Sequence, residues 1–283
     1  MAVRGRKLSV RNTTITQHLR DEGRPLATTD FFGVPVKALR YDEAFDLVRS
    51  WVALRTGRYV CFAAVATVIQ AHDSPGFRVA VADADLVLPD GMPIVWFMRR
   101  TSHPRQERLC GPDLIFRLCA DAARNRIPVG FYGSTPQTLA LIRNRFAQRW
   151  PDLDIRYAYS PPFRPLTEAE ESAILEDINA SGIGLLFVGL GCPKQEDWMS
   201  RVRDRSRVVM FGIGGAFDVA AGTHPAPPRW VQKMGLQWAY RVRQEPRRLW
   251  RRYLYQNARF CWLVLKETMS RAVSSGRSRS RQS

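Results

Sequence analysis

Asp90 follows a short apolar run, Leu86-Val87-Leu88, and Pro89, and it precedes Gly91. That order predicts a carboxylate at the carboxyl end of a strand, beside backbone that a ligand can approach closely. Such a carboxylate can serve as general base for a hydroxyl nucleophile. The plainer alternative is an Asp that simply makes a turn. Three glycine-rich turns follow other apolar runs: Gly130-Phe131-Tyr132-Gly133-Ser134, Gly189-Leu190-Gly191 and Gly212-Ile213-Gly214-Gly215. Turn amides with a helix N-terminus behind them suit a phosphate or diphosphate. The second and third turns open like G-x-G-x-x-G, but Lys194 and Phe217 stand where the third glycine belongs. A nicotinamide enzyme is therefore disfavoured.

Asp83-Ala84-Asp85 spells D-x-D, a metal–diphosphate pattern of some sugar transferases, but here it ends a helical stretch before a strand. The four His (18, 72, 103, 224) lack ligand spacing, and no two of the five Cys (61, 110, 119, 192, 261) are spaced C-x-x-C. Neither zinc nor a thiol nucleophile is indicated, and no metal site is expected. The Cys are expected to be free, buried thiols in a reducing compartment.

Positioning these residues falls to repeated units of apolar run, loop and amphipathic stretch. Strands are predicted at Phe31–Val36, Tyr59–Val65, Leu86–Leu88, Pro128–Tyr132, Ile155–Tyr159, Gly184–Gly189 and Arg207–Ile213. Helices are predicted at Tyr41–Thr56, Thr67–Ala82 (interrupted at Ser74-Pro75-Gly76), Met92–Arg100, Asp113–Arg124, Pro136–Trp150, Thr167–Asn179 and after Pro193. Continuous Val/Ile/Leu/Phe strands alternating with helices indicate an α/β fold: a Rossmann-like, mostly parallel sheet covered on both faces. In such a sheet ligands bind at the carboxyl ends of the strands, where the glycine turns and Asp90 fall.

The chain has 283 residues with 43 Lys+Arg against 26 Asp+Glu, a net charge of +17. The charge sits at the ends. Residues 1–28 carry net +4, residues 225–283 net +12, and the body between them net +1. The expected organisation is a flexible basic arm at 1–28, a Rossmann-like catalytic body at 29–224, a helical appendage at 225–268 and a disordered Ser/Arg tail at 269–283. Pro225-Ala226-Pro227-Pro228 marks the break after the body, and helices are predicted at Trp230–Arg243 and Arg247–Lys266. On a wheel started at Leu249, Trp250, Tyr253, Leu254, Phe260, Cys261 and Val264 fall on one arc. Arg247, Arg248, Arg251, Arg252, Arg259 and Lys266 fall on the other. Arg with Trp and Tyr on such a helix fits an anionic membrane interface. It also fits nucleic acid, but the near-neutral body lacks a basic groove or a recognisable nucleic-acid motif. No apolar run is long enough to span a bilayer, and no signal peptide is evident.

Together the motifs resemble the WecG/TagA/CpsF glycosyltransferase family. The resemblance is carried by Ala84-Asp85-Leu86-Val87-Leu88-Pro89-Asp90-Gly91, Glu107-Arg108-x-x-Gly111-x-Asp113-Leu114 and Gly130-Phe131-Tyr132-Gly133. It continues in Val188-Gly189-Leu190-Gly191-x-Pro193-Lys194-Gln195-Glu196, Gly212-x-Gly214-Gly215-Ala216-Phe217-Asp218, Gly235-Leu236-x-Trp238-x-x-Arg241 and Glu245-Pro246-Arg247-Arg248. It implies a bacterial, metal-independent, inverting transferase without a resident cofactor. Such an enzyme moves a sugar from a UDP-sugar to a polyprenyl-diphosphate-linked saccharide, as a cytoplasmic protein held peripherally on the inner face of the cell membrane. Nucleic acid is not an expected partner, and self-association is left open.

The same resemblance implies roles for single residues. Asp90 would be the catalytic base. Gly133, Ser134, Gly189, Gly191, Gln195, Glu196 and Asp218 would bind the nucleotide-sugar. Arg108, Asp113, Arg241, Arg248 and Arg251 would meet the acceptor and the diphosphates. Many members carry Thr-x-Asn 28 residues before the Asp, where this chain has Phe62 and Ala64. That departure removes side-chain hydrogen bonding to the acceptor there, and it keeps a non-catalytic scaffold as a rival reading. Asp90-Gly91-Met92-Pro93-x-Val95-Trp96 looks closer to the GumM-like branch, which includes the xanthan glucosyltransferase, and this tilts the donor towards UDP-glucose.

Overall fold

The computed structural model describes residues 26–244 and 246–279; the side chains at 229, 244, 248, 249, 252 and from 268 onward fall outside the description. The basic arm therefore lies almost wholly outside the described residues.

The described residues open with a small hairpin, β1 (Thr28–Asp30) against β2 (Pro35–Lys37), where a single strand over Phe31–Val36 is predicted. Phe32 and Gly33 take left-handed φ values of 55° and 87° and turn the chain. Asp30 Oδ1 accepts from Gly33 N–H at 3.0 Å and closes that turn. Phe31, Val34 and Val36 are all buried, so an unbroken apolar run hides a turn that burial alone cannot reveal.

The main elements then follow in the predicted order: α1 (Tyr41–Leu54), β3 (Arg58–Ala63), α2 (Val65–Asp73), α3 (Pro75–Ala82), β4 (Leu86–Pro89), α4 (Met92–Thr101) and α5 (Gly111–Asn125). After these come β5 (Val129–Gly133), α6 (Pro136–Arg149), β6 (Ile155–Tyr159), α7 (Glu168–Ala180), β7 (Leu185–Gly189), α8 (Lys194–Val202) and β8 (Val209–Gly212). The stretch predicted as one interrupted helix is two, because Ser74 caps the second and Pro75 occupies its first turn. The start of α7 is a capping box in which Glu170 answers Thr167.

The six strands β3–β8 form a parallel sheet in the order β4-β3-β8-β7-β5-β6. Its two faces bury alternate side chains. Tyr132, Val188 and Met210 enter one cluster; Phe131, Phe187 and Phe211 enter the other. This doubly covered parallel sheet is the architecture predicted from the sequence. After β4 at one edge the chain crosses to β5, so the strand order reverses between the two halves. A crevice opens at the carboxyl ends at such a switch.

Beyond β8 lies a short helix that the sequence reading did not include, α9 (Ala216–Ala221). The C-terminal segment is α10 (Arg229–Lys233), α11 (Gln237–Gln244) and α12 (Pro246–Arg279). The first predicted appendage helix is thus split at Gly235, whose φ is +67°. A Cβ there would lie 2.8 Å from the Trp96 ring and 3.0 Å from Met92 Cβ, so glycine lets the turn press onto α4. Helical backbone in α12 reaches Arg279, past the onset of disorder predicted at 269.

The predicted division of α12 into apolar and basic arcs is also redrawn. Gln256, Phe260 and Leu263 are buried, and Phe260 and Leu263 join the core cluster that includes α2 residues Val68 and Ile69. Arg259 bridges to Asp73 at 2.6 Å, so it faces the body. Trp250, Leu254, Tyr255, Trp262 and Leu265 stay exposed, alongside Arg247, Arg251 and Lys266. Docking on the body has taken part of the apolar arc, and the outer face mixes aromatic and basic groups. Among the described residues, no helix is long and apolar enough to cross a membrane.

Candidate active site

The site is built from the strand carboxyl ends. Asp90 N–H and Gly91 N–H both donate to the Ala63 carbonyl, at 3.0 and 3.2 Å, which sets the Asp90 turn against the end of β3. Leu109 N–H donates to the Pro89 carbonyl at 2.9 Å and lays the Arg108 segment beside it. Arg108 and Arg241 face Asp90 with positive charge, and Asp113 with negative charge. Asp90 keeps part of its surface open but is closely packed by protein. Burial pushes its carboxyl above the ordinary value; Arg108 and then Arg241 pull it down, and Asp113 pushes it up.

Arg108 is mostly buried and approaches Cys110 Sγ at 2.7 Å, Gln232 Oε1 at 2.8 Å and Asp113 Oδ2 at 3.7 Å. Its Nη1 is buried without a partner. Arg241, on α11, places its guanidinium 3.6 Å from where a Cβ on Gly215 would sit. The predicted diphosphate residues Arg108, Asp113 and Arg241 are therefore brought together near Asp90. Arg251 is exposed on α12, and the Arg248 side chain lies outside the described residues.

The glycine turns meet one another. A Cβ on Gly133 would lie 2.6 Å from the Gly189 carbonyl carbon, and a Cβ on Gly189 would lie 2.6 Å from the Phe217 ring. Ser134 follows with a left-handed φ of 59°, uncommon for a non-glycine residue, and its N–H donates to the Gly189 carbonyl at 3.0 Å. Gln195 Oε1 accepts from Gly191 N–H at 3.2 Å, and Gln195 Nε2 donates to Glu196 Oε1 at 2.9 Å. The Gln195 amide thus braces the 191–196 loop. Glu196 is buried, its Oε2 has no partner, and burial pushes its carboxyl up. Asp218 lies in α9, the short helix behind the Gly214-Gly215 turn, and its carbonyl accepts from Thr223 and His224 N–H. The predicted nucleotide-sugar residues thus lie in three neighbouring strand-to-helix junctions, β5–α6, β7–α8 and β8–α9, with Gln195, Glu196 and Asp218 in the first turns of their helices.

Phe62 is buried in the core cluster with Leu86 and Leu88, and Ala64 stands at the start of α2 without a side-chain cap. Neither offers the side-chain hydrogen bond that Thr or Asn would. Ala64 still adjoins the Asp90 turn, since a Cβ on Gly91 would lie 3.4 Å from its Cα.

The D-x-D pair is not assembled as a ligand set. Asp85 pairs with Arg58 and Arg203, each at 2.7 Å, and accepts from Tyr59 N–H at 3.0 Å. Among the described residues, no group of three His, Cys, Asp or Glu could hold a metal ion. Asp85→Ala is expected to lower the melting temperature by about 5–10 °C, because it strands two partly exposed arginines at a cost of about 2–3 kcal/mol. A thermal melt checks this, and Mn²⁺ should restore nothing. Cys61, Cys110 and Cys119 are buried as predicted, but Cys192 and Cys261 are exposed. Burial pushes the Cys110 thiol up to about 12, so it meets Arg108 as a neutral group.

Sequence reasoning missed Gln232, which joins α10 to Arg108. A single Gln in a helix carries no local signal, and only its tertiary partner marks it.

An open parallel α/β sheet with a carboxylate, two arginines and three glycine turns at its carboxyl ends has the chemistry that suits anionic, phosphate-bearing ligands. The profile of the glycosyl transferase WecG/TagA/CpsF family matches residues 29–274, and the chain belongs to that family of glycosyltransferases. It is 31% identical, over 65% of its own length and 70% of the relative's, to an N-acetylglucosaminyldiphosphoundecaprenol N-acetyl-β-D-mannosaminyltransferase of Bacillus spizizenii.

Proposed function

We propose that the protein transfers a sugar from a UDP-sugar to a hydroxyl of a polyprenyl-diphosphate-linked saccharide, with inversion, in bacterial surface-polysaccharide or exopolysaccharide synthesis. The observation that carries this reading is Asp90 at the carboxyl end of β4, faced by Arg108 and by Arg241, whose guanidinium also stands beside the Gly214-Gly215 turn. In the reaction, the acceptor oxygen bonds to the anomeric carbon while the bond from that carbon to UDP breaks. The acceptor proton passes to Asp90, and UDP departs with the electron pair. Arg108 and Arg241, with backbone amides of the turns, oppose the charge that develops on the leaving diphosphate. The relative acts on a diphosphoundecaprenol-linked sugar, which supports a lipid-linked acceptor here. The exposed aromatic and basic face of α12 supports seating on the anionic inner face of the membrane.

The test is a mass-spectrometric scan of UDP-glucose, UDP-N-acetylglucosamine and UDP-N-acetylmannosamine against lipid-diphosphate-sugar acceptors. One pair should add a single sugar to the acceptor, and the product should form equally in EDTA. Failure of every pair would remove the transfer reading. Activity lost in EDTA and restored by Mn²⁺ or Mg²⁺ would replace the metal-free mechanism.

A further inference from the structure

Within the body the Arg108 guanidinium meets the neutral Cys110 sulfur, a weak acceptor, and an ion pair with the Asp113 carboxylate at 3.7 Å, longer than a hydrogen bond. The good hydrogen bond comes from outside the body: Gln232 Oε1 accepts from Arg108 Nη2 at 2.8 Å. The other end of the same amide is also used, because Gln232 Nε2 donates to the Pro227 carbonyl at 2.8 Å. That second bond fixes which way the amide faces and turns its oxygen to Arg108.

Pro227 is itself held in a Pro-Ala-Pro-Pro segment with restricted backbone. Val231, next to Gln232, is buried, and Gly235 presses on Met92 and Trp96 of α4. The acceptor is therefore delivered only when α10 is seated. On the other side, the bond from Leu109 N–H to the Pro89 carbonyl places Arg108 beside Asp90.

We propose that Gln232 is a positioning residue: its amide holds the Arg108 guanidinium at the Asp90 crevice and couples the seating of the C-terminal helices to the charge that meets the reacting groups. The residue type suits that task. A neutral amide holds a guanidinium without cancelling its charge, whereas a carboxylate in its place would neutralise it. The consequence for catalysis rests on Asp90 being the base, but the coupling itself can be read without turnover. The groups that face Asp90 are Arg108 and the neutral Cys110 thiol from the loop before α5, Arg241 from α11 and Asp113 from α5. If Arg108 swings away, Asp90 loses its stronger cation and titrates at higher pH.

The experiment is a carboxyl ¹³C NMR titration of full-length protein labelled at aspartate, from about pH 3.5 to 9, a range that brackets a raised carboxylate. The Asp90 resonance is assigned by its loss in Asp90→Asn. Gln232→Met, similar in size but without the amide, should raise the Asp90 midpoint by about one pH unit, as expected when a neighbouring guanidinium is lost. Gln232→Leu, which also lacks the amide and adds no charge, should raise the midpoint as well. It decides the matter if the Met variant does not fold. A midpoint in the folded variant that stays with the wild type, even with lowered thermal stability, reduces Gln232 to a structural contact and overturns the proposal. So does a wild-type Asp90 that does not titrate in this range. Full transfer by Asp90→Asn would instead sink the base assignment and leave the titration result standing.

Discussion

Asp90→Asn is expected to cut transfer by about 10²–10⁴-fold, the usual cost of removing a general base. The same substitution is expected to stabilise the fold at neutral pH. Burial raises the Asp90 carboxyl above its unfolded value, so the fold prefers the neutral form. Stabilisation from such a group is complete below the unfolded value, about 3.9, and is lost as pH rises through the higher folded value. Above that point the wild type bears the cost of an enclosed charge and the Asn variant does not. The Asn variant should therefore melt higher than the wild type at pH 7–8, and the gap should close towards pH 4. Wild-type activity should run the opposite way, rising with pH as Asp90 ionises. Kinetics and thermal melts over one pH series check both halves. Turnover within threefold of wild type in the Asn variant would remove Asp90 from the base role.

Arg241→Ala should lower transfer by about 10²-fold, the range seen when one preorganised donor to a developing anion is lost. The loss should also appear with a short-chain, water-soluble acceptor, because Arg241 stands over the Gly214-Gly215 turn and faces Asp90. Arg241 pulls the Asp90 carboxyl down, so its removal should move the acid limb of the pH–rate profile upward. Arg259→Ala is the control. Its guanidinium is spent on Asp73 and Tyr255, so soluble-acceptor transfer should survive and any loss should lie in helix docking. If Arg241→Ala matches the wild type on the soluble acceptor, the C-terminal helices would serve only as an anchor.

Much of the body was legible because its signals are local. Continuous apolar strands between amphipathic helices specify a covered parallel sheet, and glycine after a strand marks a turn at its carboxyl end. Asp90 and the three turns therefore fell at one edge of the sheet on sequence grounds alone. The hairpin at Thr28–Lys37 was not legible, because Phe31, Val34 and Val36 are buried in a turn and a strand alike. The short helix α9 was hidden behind the Gly214-Gly215 signal, which reads as loop.

The tertiary structure decided what each side chain is spent on. Asp85 has the type and spacing of a metal ligand, but two arginines and a backbone amide occupy it. Gln195 was expected to meet the nucleotide-sugar, and its amide braces its own loop through Gly191 and Glu196. The wheel for α12 divided apolar from basic residues, but the fold redrew that division, because a wheel does not show which neighbour will cover an arc. Phe260 and Leu263 went to the body, and Trp250, Leu254 and Trp262 stayed outside. Gln232 meets Arg108 across 124 positions of chain. Hydrophobic period and turn chemistry act within a few residues of the chain, and so they can be read along it. Hydrogen bonds and ion pairs are set by distances of about 3 Å in space, which only the folded arrangement of the sheet and the C-terminal helices provides.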